Sequence, residues 1–92
     1  MKTRIGVNQD TIDKVFNFSK EHLKTRIIKH GSDSFISPHE ILGILEEEIH
    51  ELVDAVRENN NYHIVDELHD TITVCIFGIA SLLTNEDWSD LK

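Results

Sequence analysis

The sequence predicts an all-α protein: an antiparallel helical bundle of three main helices plus a short C-terminal helix, completed by oligomerisation. Three observations carry this. Apolar residues recur at helical spacing through three long segments, and no run alternates with the two-residue period of a strand. Start and stop signals punctuate those segments at Gly31, at Ser37-Pro38-His39-Glu40 and at Asn59-Asn60-Asn61. The second half of the third segment is apolar nearly all round (Ile72, Val74, Cys75, Ile76, Phe77, Ile79, Leu82 and Leu83), the mark of a buried helix. Three helices from 92 residues offer too little cover for it, so a homodimer or homotetramer is expected.

Taken in order, residues 1–9 read as an irregular lead-in, with Asp10 as N-cap of a first helix running to about His30. Ile12, Val15, Phe16, Leu23, Ile27 and Ile28 supply its apolar face, and Gly31 stops it after Lys29 and His30, which suit the last turn. The second helix starts strongly. Ser37 is the N-cap, Pro38 takes the first helical position, and Glu40 completes a capping box; the helix should reach about Glu58. After the Asn turn a third helix runs from about Tyr62 to Leu83, and Asn85 caps a short fourth piece containing Trp88. No linker or low-complexity stretch divides the chain, so residues 1–92 are expected to form one helical domain.

Charge narrows the function. Residues 1–30 hold seven Lys and Arg against three acids, whereas residues 31–92 hold two against fourteen. Such an acidic body does not suit nucleic acid, which is met with Lys and Arg, but it suits collecting cations. The single cysteine, Cys75, excludes an intrachain disulfide and a cysteine-based zinc site, and its apolar surroundings predict a buried, inert thiol. The first residues do not read as a signal peptide, and the uncharged run Ile72–Leu83 is too short to span a bilayer. A soluble, cytoplasmic protein without membrane partners is expected.

The acids are not scattered. Placed on a wheel at about 100° per residue, Ile41, Leu45, Ile49, Leu52 and Val56 form one stripe of the second helix, with Glu48 and Glu51 on its border and Glu47 further toward solvent. On the third helix Ile64, Leu68, Ile72, Cys75, Ile79 and Leu82 form the stripe, and Glu67 and Asp70 lie on the same-handed border. A short turn makes the helices antiparallel neighbours, which brings same-handed borders to one side. The heights agree as well. The two pairs are centred 10.5 residues before and 8.5 residues after Asn60; at 1.5 Å per residue the mismatch is about 3 Å.

Four carboxylates converging without a nearby Lys or Arg on those helices repel one another unless protonated or neutralised by a cation. Hard oxygen donors without sulphur favour Mg²⁺ or Mn²⁺. The plainer alternative is a pair of solvated acidic faces; the match of border and height favours the metal. His39, His50 and His69 fall on polar faces or at a helix start and are expected to be solvated. No Gly-rich phosphate loop, nucleophile motif or metalloprotease His pair is present.

The run Leu45-Glu46-Glu47-Glu48-Ile49-His50-Glu51-Leu52, followed by Asp66-Glu67-Leu68-His69-Asp70, resembles the MazG-like all-α nucleoside triphosphate pyrophosphatases, whose signature is E-x-x-E, a gap, then E-x-x-D on two antiparallel helices. The resemblance covers about residues 37–83. It implies an oligomeric, Mg²⁺-dependent enzyme that cleaves a nucleoside triphosphate between the α- and β-phosphates, releasing a nucleoside monophosphate and pyrophosphate. Carried over by position, Glu48, Glu51, Glu67 and Asp70 would hold the metal and carry the chemistry, with Glu47 or Glu51 taking the proton of the attacking water. Relatives often supply phosphate contacts from a basic segment after the third helix. Here Lys24, Arg26 and Lys29 of the first helix, Lys92, or a neighbouring subunit would have to serve. Thr71-Ile72-Thr73-Val74-Cys75 lacks the His that phosphoribosyl-ATP pyrophosphatases carry, so histidine biosynthesis is not the expected setting. The base would lie against the first helix and the loop before Ser37, where Phe16, Phe18 and Phe35 are available. Two rival readings stand beside this one: a nucleotide- and metal-binding regulatory module of the same fold without efficient turnover, and a structural helical dimer whose acids are incidental.

Overall fold

The computed structural model describes residues 3–85, which form three helices: α1 (Gln9–His30), α2 (Pro38–Glu58) and α3 (Asn61–Asn85). The expected short helix around Trp88 lies outside the described residues.

Each helix end has a local cause. α1 begins two residues earlier than an Asp10 cap would allow, because Asn8 caps it: the Asn8 side-chain oxygen accepts from the Thr11 N–H at 2.8 Å and from the Thr11 hydroxyl at 2.9 Å. Asp10 instead sits in the first turn, where its charge suits the helix dipole. At the other end Gly31 takes φ +88°, a conformation that costs a residue with Cβ, and its N–H closes the helix on the Ile27 carbonyl at 2.7 Å. α2 opens as expected, with Ser37 Oγ accepting from Glu40 N–H at 3.2 Å. The reciprocal reach of Glu40 goes one residue further back, to the Ile36 N–H at 3.0 Å. Asn59 ends α2 in the left-handed region with φ 57°, and Asn60 Oδ1 accepts from His63 N–H at 3.2 Å to start α3 at once. The expected Asn turn is therefore two residues that reverse the chain.

That reversal lays α3 antiparallel on α2. Ile41 near the start of α2 meets Gly78 near the end of α3, and Glu48 in mid-α2 meets Glu67 and Asp70 in the first half of α3. The pair packs through small groups: Ala55, Gly78 and Ser81 are buried along with Val74. A Cβ on Gly78 would stand 3.1 Å from Ile41 Cγ2, so the absence of a side chain sets how closely the helices approach. α1 packs on α3, and among the described residues it makes no close backbone approach to α2.

The burial corrects part of the expected stripe. Ile49, Val56, Leu68 and Ile79 are exposed, and Cys75 is exposed rather than a buried thiol. The buried positions of α3 are instead Glu67, Val74, Gly78 and Ser81, with Gly78 against Ile41 of α2. Small side chains there let the helix backbones approach, and the bulkier apolar residues are turned to the flank. Among the described residues the buried apolar set is correspondingly small, Ala55 and Val74, with no large side chain fully enclosed. The helix Asn61–Thr84 is also long and apolar enough to cross a membrane by length and composition, although its uncharged run is short. Asp66, Glu67 and Asp70 lie within that span, and Glu67 and Asp70 are used by the fold for the contacts described next.

Candidate metal centre

The antiparallel register delivers Glu48 from α2 and Glu67 and Asp70 from α3 to one place: each offers a carboxylate oxygen, all within 4.8 Å of one another. Glu67 is 9% exposed, unusual for a carboxylate. Glu48 Oε2 and Glu67 Oε2 are buried and have no hydrogen-bond partner. A buried polar atom without a partner is costly, and two of them in one group of acids could be satisfied by a cation or by protons.

Electrostatics agree. Burial first, then the charges of Glu51, Asp70 and Glu67, push the Glu48 carboxyl up to about 7, against a partial counter-effect from Arg26. Glu67 is also raised, by burial, then by a carboxyl hydrogen bond with Glu51, then by the charges of Glu51 and Asp70; His63 works the other way. Its Nε2 stands 4.0 Å from Glu67 Oε1, and its Nδ1 lies 3.2 Å from Glu58 Oε2. Without a cation Glu48 therefore keeps its proton up to about pH 7.

The four expected acids are not equivalent. Glu48, Glu67 and Asp70 come together, while Glu51 lies exposed at the margin, in contact with Glu67. Glu47 is exposed on the outer side. The hard oxygens fit Mg²⁺ or Mn²⁺, with Glu48, Glu67 and Asp70 as the inner set and Glu51 able to join from the edge.

α1 supplies what an inspection of α2 and α3 alone could not. Arg26 and Glu48 line one cleft of about 260 Å³ between α1, the Gly31–Ile36 loop, α2 and α3, and the Arg26 charge is felt at Glu48. Phe35 and Phe77 form its apolar wall, edge to face at 5.0 Å, and Ser81 Oγ holds the loop by accepting from Phe35 N–H at 3.0 Å. Lys24 is exposed and paired with Glu21 at 3.4 Å, and Lys29 is exposed. Of the three aromatics offered for stacking, Phe35 lines this cleft; Phe18 stacks on His69 at 5.9 Å between centroids, and Phe16 borders a separate apolar groove.

His22 is the residue sequence reasoning missed: its Nε2 lies 2.8 Å from Asp70 Oδ1. Forty-eight positions separate the two, and no local spacing links them. His69, expected in solvent, is half-buried between α1 and α3, with Nδ1 3.1 Å from Ser19 Oγ. His39 and His50 are exposed.

Fold and site together define an all-α protein with a carboxylate cluster at the mouth of an apolar cleft. The chain belongs to the MazG nucleotide pyrophosphohydrolase domain family, whose model matches residues 36–91. No curated protein and no solved structure matches it. The match spans α2, α3 and every clustered acid, so a nucleotide pyrophosphohydrolase, a hydrolase acting on nucleotides, is the class this domain supports.

Proposed function

We propose that this protein is a divalent-metal-dependent nucleoside triphosphate pyrophosphatase, converting a ribo- or deoxyribonucleoside triphosphate to its monophosphate and pyrophosphate in the cytoplasm, as nucleotide-pool house-cleaning. The single observation that carries the reading is the pair of orphaned, buried oxygens of Glu48 and Glu67 turned into a three-carboxylate cluster beside a cleft.

Glu48, Glu67 and Asp70 would hold Mg²⁺, with Glu51 completing the set. A bound divalent cation neutralises triphosphate oxygens and favours ionisation of water. Arg26 faces the same space and offers a fixed, planar cation to the phosphates; Lys24 and Lys29, on the outer side of α1, can meet the distal phosphates only by reorienting. The base enters the cleft against Phe35 and Phe77, where the apolar wall accepts its π face. Water attacks the α-phosphorus in line, the bond to the bridging oxygen breaks, and pyrophosphate leaves. Glu51, exposed at the edge and in contact with Glu67, accepts the water's proton. The whole chain acts as one domain, and the exposed apolar flanks of α1 and α3 are covered by a second copy.

A second reading has its own observation. Among the cleft-lining residues Arg26 is the single Lys or Arg, which suits a module that binds nucleotide and metal without rapid turnover.

Pyrophosphate release from a panel of canonical and modified (d)NTPs, with Mg²⁺ and with EDTA, separates them. Metal-dependent release, lost in Glu51→Gln and Glu67→Gln, is the expected result. Nucleotide-dependent thermal stabilisation without release would replace the enzyme by the binding module. Melting indifferent to both metal and nucleotide would leave a structural helical protein.

A further inference from the structure

α1 lies wholly outside the matched region, yet it touches the cluster. His22 and Asp70 are both partly buried, their side chains 30% and 23% exposed. A carboxylate can only accept, so at 2.8 Å the His22 ring donates its Nε2–H to Asp70 Oδ1. One face of α1 is built for this docking. Ser19, one turn earlier, is buried and meets His69 Nδ1; Phe18 stacks on the His69 ring; the His22 and His69 rings stand 5.7 Å apart. Asp70 Oδ1 is thereby held by a side chain of α1, whereas Glu48 and Glu67 each keep an unpartnered oxygen.

We infer that His22 is a positioning residue for the metal centre: by holding one oxygen of Asp70, it sets the orientation of that carboxylate toward Glu48 and Glu67 and ties the cation site to the helix that walls the cleft. The inference rests on the metal reading above. Its physical basis is general. A ligating carboxylate free to rotate loses side-chain entropy on binding a cation, and an outer partner that fixes it beforehand removes that cost. The position of His22 adds a second consequence. Leu23, Arg26 and Ile27 follow within about a turn and a half of helix and line the cleft, so a carboxylate drawn onto a cation holds the cleft wall in register with it.

The test uses the full chain, with Mn²⁺ alone as the probe and binding read by electron paramagnetic resonance. His22→Phe keeps the ring volume and its packing on His69 but removes the donor; the expected loss of Mn²⁺ affinity is about 10-fold, within the 10–100-fold range of outer-sphere partners. His22→Gln keeps an N–H donor and should recover most of that loss. Ser19→Ala breaks the neighbouring dock without touching Asp70 and should leave Mn²⁺ affinity at the wild-type value. In turnover, the His22→Phe defect should appear as a raised Mg²⁺ requirement. Glu67→Gln tests the underlying reading. If it binds Mn²⁺ as wild type does, the metal site falls and the inference with it. If Glu67→Gln loses Mn²⁺ while His22→Phe does not, the site stands and the inference is wrong. Equal losses in His22→Phe and Ser19→Ala would also overturn it, reducing His22 to a structural contact of α1.

Discussion

The α2–α3 pair has two ends built on opposite principles. Toward the start of α2 and the end of α3 the helices close on small groups, with Gly78 against Ile41 and Ser81 buried. Near mid-α2 and the first half of α3 they bring together Glu48, Glu67 and Asp70, with burial and mutual repulsion raising Glu48 to about 7. One end is stabilised by packing and the other is destabilised by charge that only protons or a cation relieve. The contrast shows how a small helical domain can hold a strained site: the closely packed end fixes the register that the charged end would otherwise open.

The largest effect that can break this contrast is at Glu67. Glu67→Gln should cut metal affinity and turnover by at least roughly 100-fold, since even outer partners of a ligand cost 10–100-fold. The same change should hold or raise the melting temperature of the metal-free protein, because it removes a buried charge. A fall in both affinity and stability would mean that the carboxylate is a structural group. At the other end Gly78→Leu should behave oppositely. Overpacking against Ile41 is expected to cost about 1–3 kcal/mol, read by denaturant unfolding, with pyrophosphatase activity of the folded fraction retained.

The pH dependence sharpens the comparison. Glu48 ionises at about 7 in the fold, well above its ordinary value of 4.5, so the folded state binds the extra proton between those values. Stability of the metal-free protein should fall as pH rises from 4.5 through 7, and Mg²⁺ should flatten that slope by taking the proton's place. Thermal melts in EDTA and in Mg²⁺ across that window check it; a metal-free protein that gains stability on the same climb would mean that Glu48 is not strained. The smallest effect is expected at the α2 start, where Ser37→Ala should cost about 1 kcal/mol by loss of the N-cap bond, equally with and without Mg²⁺, by calorimetry.

Much of this was legible in the residues. Ser37, Pro38 and Glu40 begin α2 because capping is satisfied within a few positions, and Gly31 and Asn59 end helices because each takes positive φ. The E-x-x-E and E-x-x-D spacings place acids on helix faces by periodicity alone, and the short Asn turn sets their common height. By itself, the sequence thus determined the three helices, the antiparallel pairing and the four acids from which the cluster is drawn, because each depends on contacts near in the chain or on a turn too short to allow another arrangement.

Only the tertiary structure decided the rest. It separated Glu48, Glu67 and Asp70 from Glu51, since a wheel gives direction but not how far small residues such as Ala55 and Gly78 let the backbones approach. It turned Cys75 outward and drew His69 inward, because the site of α1 docking is set by side-chain fit, which periodicity does not encode. It also brought His22 to Asp70 and Arg26 to Glu48 from a helix whose weak amphipathicity gave no register. Contacts of that kind close long loops, and their partners are chosen by shape and charge across space rather than by spacing along the chain.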